Sequence, residues 1–416
     1  MVLPMLRTTS FALLSVGLLA GPAAALTGDW PQWRGPQRDG NSAETGLLQS
    51  WPEEGPALLW KATGLGGGYS APAILNGKFY GSGYLGEEEH VWCRELSTGN
   101  KVWSTKVAPA FRELEFPEGP RATAALDGGQ LFTLGAGGNL VCVDLESGKL
   151  QWSKDLRGEL AGEMMSDWGY SESPLVDGDH VICTPGGSQG CVAAFDRKTG
   201  ELVWRSTELK DPAAYASLIK IEFAGKPQYV VLTGQSVAGI SAADGSLLWR
   251  TERVGKTAVV PTPIFTGSHV WVTSGYGVGC NLYELKEDAG KQSATEVYQN
   301  RTIKNGQGGA LLLGDHVFAA SGPLLICMDW RTGETIWRSR SLNRASLTSA
   351  DGLLILRGEQ GEVALVEASA KEYSAKGSFE QGERTEFKSW AHPVVSGGRL
   401  YLRDQDSMSC YDLKAK

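Results

Sequence analysis

A short unit recurs along the chain, and its clearest copy is CMDWRTGETIW at Cys327–Trp337. Related copies are CVDLESGKLQW (Cys142–Trp152), AFDRKTGELVW (Ala194–Trp204), CRELSTGNKVW (Cys93–Trp103) and a looser GISAADGSLLW (Gly239–Trp249). In each, an apolar run reads as a strand, an acid follows, a Gly-containing turn comes next, and the returning strand ends on Trp. The acid can accept hydrogen bonds from the amides of the turn, and Gly supplies the positive φ the turn needs. One such hairpin cannot bury its own faces. A chain that repeats it has to stack small sheets.

Eight units can be counted. Each opens with two strands joined by a turn, at Asn76-Gly77, Asp127-Gly128, Asp177-Gly178, Gly225, Gly267, Gly314, Asp351-Gly352 and Gly397. The acid position of the second hairpin is held by Glu95, Asp144, Asp196, Ser241, Glu284, Asp329, Glu367 and Asp412, at spacings of 38 to 52 residues. That period suits a four-stranded blade. Leu58-Leu59-Trp60-Lys61 looks like a last strand without its predecessors, and Ser389–Leu413 supplies three strands without a fourth. Joining them closes a ring and removes its sheet edges. The predicted fold is all-β: an eight-bladed β-propeller of four-stranded antiparallel blades over residues 58–416, closed by an N-terminal strand. Units five (KEDAGKQSAT in place of the Thr-Gly turn) and seven (VEASAKEYSAKG) look degenerate, so seven blades is the alternative.

Residues 1–25 read as a signal peptide: Arg7, the apolar run Phe11–Ala20, the break Gly21-Pro22, then Ala23-Ala24-Ala25 before the cleavage point. The apolar core is too short to span a bilayer, and no Cys near the cleavage point offers a lipid anchor. The expectation is a soluble monomer, periplasmic or secreted. The formal charge of −8 gives no basic footprint for nucleic acid. Residues 26–57 form an arm in which Trp30, Trp33 and Trp51 lie among Pro and Gly, a composition suited to packing over a folded body. Export permits disulfides. Cys93, Cys142, Cys327 and Cys410 nevertheless share one repeat position and read as buried small hydrophobes, while Cys183 and Cys191 flank a hairpin loop and are open to either state.

The Gly turns of both hairpins fall on one face of such a ring. The blade-joining segments fall on the other, where ligands are expected near the axis. Its candidate binding residues are Tyr69, Arg121, Trp168, Tyr170, Asn305, Gln307, Arg344, Trp390 and His392, with Arg112 and Lys304 nearby. Aromatics beside cations suit an anionic planar ligand or a partner's side chains. They equally suit a channel plug with solvated charges. His180, His269 and His316 recur at one repeat position and read as strand filler. No His or Cys cluster has zinc spacing, and no nucleophile-elbow or phosphate-loop motif is present. No catalytic or metal-binding residue is predicted.

The acid-x-x-Thr-Gly…Trp hairpin resembles the repeat of the pyrroloquinoline-quinone (PQQ)-type propellers, a superfamily that includes quinoprotein alcohol dehydrogenases and the assembly lipoprotein BamB. The opening WPQWRGP, with DWGYSESPLV, VTSGYG and WAHPVV…YLRDQD, is similar to an exported bacterial group of that superfamily. For a dehydrogenase, the resemblance implies a quinone between a Trp and a disulfide of adjacent cysteines, with Ca²⁺ and an Asp base. No two cysteines are adjacent, and no CxxCH haem motif occurs. Asn305-Gly306-Gln307-Gly308-Gly309 stands where relatives with this opening are expected to carry an Asn-His-His-Gly-Gly-like segment. The sequence therefore points first to a non-catalytic scaffold or binding protein with a protein or glycan partner on the loop-rich face. A PQQ- and Ca²⁺-dependent dehydrogenase of an alcohol, polyol or sugar is the alternative. Carbohydrate binding through Trp30, Trp33, Trp168 and Trp390 is a further one.

Overall fold

The computed structural model describes Met1 and residues 28–415; apart from Met1, the leader predicted over residues 1–25 lies outside them. Eight antiparallel sheets follow one another, all built alike. Blade 1 spans residues 73–109, blade 2 residues 125–155, blade 3 residues 175–205 and blade 4 residues 219–252. Blades 5, 6 and 7 span 264–300, 310–340 and 346–380. Blade 8 takes three strands from residues 394–412 and its outer strand from Leu58–Ala62, which pairs antiparallel with Ser407–Asp412. The ring closes as the sequence pattern predicts. Units five and seven are complete sheets, so the count is eight. The insertion in unit five only lengthens a hairpin, Gly279–Asp288 against Lys291–Asn300.

The repeat's residues explain how blades lock together. In the outer strand of every blade, pairing skips one residue just before the Trp position. Such a bulge re-aims the next side chain. The Trp then lies opposite a small residue of the third strand: Cys93 faces Trp103, Cys142 faces Trp152, Ala194 faces Trp204, and Cys327 faces Trp337. Each ring also reaches the next blade. Trp103 donates to the Leu145 carbonyl at 3.2 Å and Trp152 to the Arg197 carbonyl at 2.9 Å. The turn Gly of that next blade fits beneath the ring. At Gly200, with φ +73°, an added Cβ would sit 2.7 Å from Trp152. Gly therefore answers two demands at once, the turn's dihedral and the neighbour's ring.

All seven cysteines are free and buried. Cys183 packs in the cluster between blades 2 and 3, and Cys191 in the cluster between blades 3 and 4. They serve opposite faces of blade 3 and do not pair.

The arm does more than cover the body. Residues 28–44 thread the central channel from the tight-turn face. Asp29 accepts from the Asn76 amide at that face, and Trp30 bridges Ile74 of blade 1. The Pro31 carbonyl accepts from Leu126 of blade 2. The segment then turns. Asn41–Ser42 descends in parallel against the inner strand of blade 7, and the Glu44 carboxylate accepts from the Gly397 and Gly398 amides. Two arginines of the turn, Arg34 and Arg38, are buried and bind backbone carbonyls. Arg34 donates to Ala310 at 2.5 Å, and Arg38 to Ser173 and Pro174 at 2.9 and 3.1 Å. Burial pulls both down to about 10, well below the usual guanidinium value.

Candidate functional site

The plug leaves the ring a cup. On the loop-rich face a cavity of about 860 Å³ opens near the axis and extends along blade 6, lined by the blade-joining segments, two intra-blade loops and the blade 6 strand residues Leu324, Ile326, Thr335 and Arg338. Its floor carries Trp33, at the inner turn of the arm. The Trp33 indole donates to the Thr262 hydroxyl at 2.8 Å, and its ring lies 4.6 Å from the His392 ring.

One wall is aromatic. Tyr69 meets Trp390 at 4.9 Å, Trp390 meets Phe116 at 4.9 Å, Phe116 meets Trp168 at 5.8 Å, and Trp168 stacks on Tyr215 at 5.3 Å. Each comes from a different blade-joining segment except Trp168's outer neighbour Tyr276, which lies on a blade 5 loop. Glu115 receives the Trp168 indole N–H at 2.5 Å and fixes that ring. Arg121 lies over the Tyr69 ring at 5.6 Å and is held by the Phe116 and Gly119 carbonyls. Burial and the adjacent Glu118 push the Tyr69 phenol well above its usual range, so it stays protonated.

The other wall is polar and cationic: Arg301, Lys304, Arg338 and Arg344 line it. Asn305 shapes this side, donating to the Gly309 and Ala320 carbonyls at 2.9 Å and accepting from the Gln307 and Gly309 amides at 3.1 Å. Gln307 donates to the Arg344 carbonyl at 3.1 Å. Arg344 is exposed, 3.7 Å from the buried Glu359 carboxylate. His392 is 5% exposed, and its Nε2 donates to the Gln307 carbonyl at 3.4 Å while Nδ1 has no partner. Burial first, and the Arg34 charge second, hold it down to about 3, so it is neutral.

Eight of the nine predicted residues therefore meet around one cavity: Tyr69, Arg121, Trp168, Asn305, Gln307, Arg344, Trp390 and His392. Tyr170 does not. It is 1% exposed in the core between blades 2 and 3, with its hydroxyl on the Pro185 carbonyl at 2.8 Å. Two positions after Trp168 it belongs to the packed side of the segment. Lys304 lines the cavity, whereas Arg112 faces outward beside Glu87. Phe116, Tyr215, Tyr276 and Arg301 are lining residues that the sequence did not single out. None sits in a repeated motif, and only Tyr276, within VTSGYG, stood in a stretch already marked.

Residues 87–339, well over half the chain, match the family described as outer membrane protein assembly factor BamB. The chain belongs to that family. BamB of Burkholderia pseudomallei is 24% identical over 321 residues, covering 73% of this chain and 74% of the relative. BamB of Shewanella oneidensis is 23% identical over 315 residues, covering 71% and 74%. Among solved structures, BamB from Moraxella catarrhalis superimposes with a TM-score of 0.56 at 13% identity, covering 81% of this chain and 94% of that one. A europium-containing methanol dehydrogenase gives 0.56 at 12% identity, covering 92% and 91%. At these identities the structural likeness is one of fold.

The quinone centre that the wider superfamily implies can be tested against the lining. Cations are present for carboxylates, and Trp168 and Trp390 offer rings. No Asp, Glu or Cys lines the cavity among the described residues, and no group of three or more such side chains or His there could hold a metal ion. Ca²⁺ requires several oxygen ligands, commonly carboxylates. The residues do not fit a Ca²⁺-assisted quinone with an Asp base.

Proposed function

We propose that this protein is a non-catalytic binding and scaffold protein, working in the periplasm or outside the cell, that docks a protein partner on its loop-rich face. The observation that carries this reading is where apolar surface is left exposed. Among the described residues apart from Met1, seven large apolar side chains are exposed on outer strands around the rim of the ring, and three, Val254, Tyr276 and Phe387, on loops of the loop-rich face. On that face Tyr276 also lines the aromatic cavity and packs against Trp168, and exposed apolar surface continuous with a cavity marks an interaction site. A rigid ring also binds at little cost in ordering. Membership of a family described by an assembly role supports the same reading, as does a cavity without a carboxylate base.

Photo-crosslinking in cells tests it. A photoreactive residue at Tyr276 or Phe387 is expected to trap one recurring protein, and the same group at Arg331 on the tight-turn face is expected to trap none. Refutation would come from the purified protein. Saturable PQQ binding that needs Ca²⁺, with dye reduction driven by an alcohol or sugar, makes it a dehydrogenase.

A further inference from the structure

We infer that the axial cavity is a binding site for the end of an acidic oligosaccharide, a pyranose carrying carboxylate or sulfate groups. This goes beyond the docking of a protein on the surrounding rim.

Four features of the cavity converge on that ligand. The first is charge. Arg121, Arg301, Lys304, Arg338 and Arg344 line it and no carboxylate does, in a chain whose formal charge is −8. Arg344 has Glu359 nearby and Arg121 binds carbonyls, which leaves Arg301, Lys304 and Arg338 as the wall's cations without a partner among the described residues; anionic acceptors answer them, because a guanidinium has donors and no acceptor. A neutral sugar would leave those charges unanswered.

The second is the floor. His392 is neutral and more than nine-tenths buried, its unpartnered Nδ1 is closed off from the cavity, and with Trp33 it offers a ligand ring surface without charge. Such a surface suits the apolar C–H face of a sugar ring, while the anionic groups of a sugar acid reach the cations of the wall.

The third is the shape of the aromatic wall. Phe116 crosses Trp168 at 70° and Trp390 at 83°. Rings at such angles make no parallel-sided slot for a flat polycycle. They do offer apolar surface at several orientations to the C–H faces of a puckered ring. The serine and threonine hydroxyls of Ser171, Ser217, Thr302 and Ser321 stand among the lining groups, as hydroxyl partners should.

The fourth is topology. The arm closes the far end of the channel, so only a chain end or a small molecule can fill the cavity, and an extended peptide cannot pass through. A volume of about 860 Å³ falls within the range of small-ligand sites.

Calorimetry on the mature full-length protein at low ionic strength tests the inference. The probes are a galacturonic acid trimer, maltotriose, benzene-1,3,5-tricarboxylate and triglutamate, each with and without EDTA. The uronate trimer is expected to bind one to one, to ignore EDTA and to weaken with added salt. The other three are expected to bind at least about tenfold more weakly. Arg301→Gln and Arg344→Gln should each cost about tenfold in affinity, and Arg331→Gln on the opposite face nothing. Both Arg301 and Arg344 are exposed, so these variants fold, which an unchanged melting curve checks. The inference is overturned if the uronate does not bind, if maltotriose, the aromatic acid or triglutamate matches it, or if the cavity variants bind like the parent. None of these results touches the rim crosslinks, which test protein docking separately.

Discussion

Substituting Gly200 by Ala isolates the contact that joins successive blades. The backbone there has φ +73°, and a left-handed conformation costs an L-residue about 1–2 kcal/mol. The new methyl would also stand 2.7 Å from Cδ2 and 2.8 Å from Cε3 of Trp152, a rigid ring that can only lift away. Lifting breaks the 2.9 Å bond from the indole to the Arg197 carbonyl, worth about 1 kcal/mol. It also re-exposes on the order of 80 Å² of ring, about 2 kcal/mol at roughly 25 cal/mol per Å². The total is about 4–5 kcal/mol. Gly178→Ala is the matched control. It has φ +58° and nothing within 4 Å of its added Cβ, so only the dihedral term of about 1–2 kcal/mol applies. Guanidinium unfolding, followed by Trp fluorescence and far-ultraviolet dichroism, compares the two. If both variants lose the same stability to within about 1 kcal/mol, the ring-on-glycine account of blade locking is wrong.

Trp60→Ala should destabilise by about 3–5 kcal/mol, because Trp60 sits over Gly99 of blade 1 and stacks on Phe79, holding the closing strand; a thermal melt checks it. Burial, only partly offset by Arg121, pushes the Glu89 carboxyl up to about 8. Its folded value lies above the unfolded one, so its contribution is complete below pH 4.5 and is lost as pH rises from there towards 8. Relative to the parent, Glu89→Gln should gain roughly a factor of ten in folding equilibrium per pH unit across that window, as denaturant titrations at several pH values would show. The seven thiols are buried, and Cys93, at about 11, and Cys142, at about 12, are among those that burial pushes up. A disulfide-forming dye should therefore react with none in the native protein and with all seven after unfolding.

The ring was legible because its information is periodic. Acid, turn Gly and Trp recur at fixed offsets, and each solves the same local problem in successive blades. The strand at Leu58–Ala62 was legible for the same reason, as a fragment of the pattern without its other parts. The plug was not. Arg34 binds a backbone carbonyl of blade 6 and Arg38 those of Ser173 and Pro174 just before blade 3, and a carbonyl has no sequence signature. Most of the cavity could be placed from topology, since blade-joining segments have to converge on one face. Which side of a segment turns inward was another matter. Trp168 and Tyr170 stand two residues apart in one stretch, and only packing against Pro185 and the blade 2–3 core sends Tyr170 into the interior. Unit five looked degenerate because an insertion in a hairpin tip erases the turn signature without disturbing the pairing behind it.

The closing strand also makes the ring depend on one contact between its two ends. Leu58–Ala62 must wait for Ser407–Asp412, some 350 residues later, and bringing two such distant segments together costs about 5 kcal/mol in chain entropy. Until they meet, blade 8 lacks its outer strand, and the first and last blades are not tied together at the rim. Ring closure thus adds to the local hairpins one pairing of very long sequence separation, the kind of contact that slows folding. A chain stopped anywhere short of that encounter exposes unpaired strand edges, the part of the molecule most prone to join another copy.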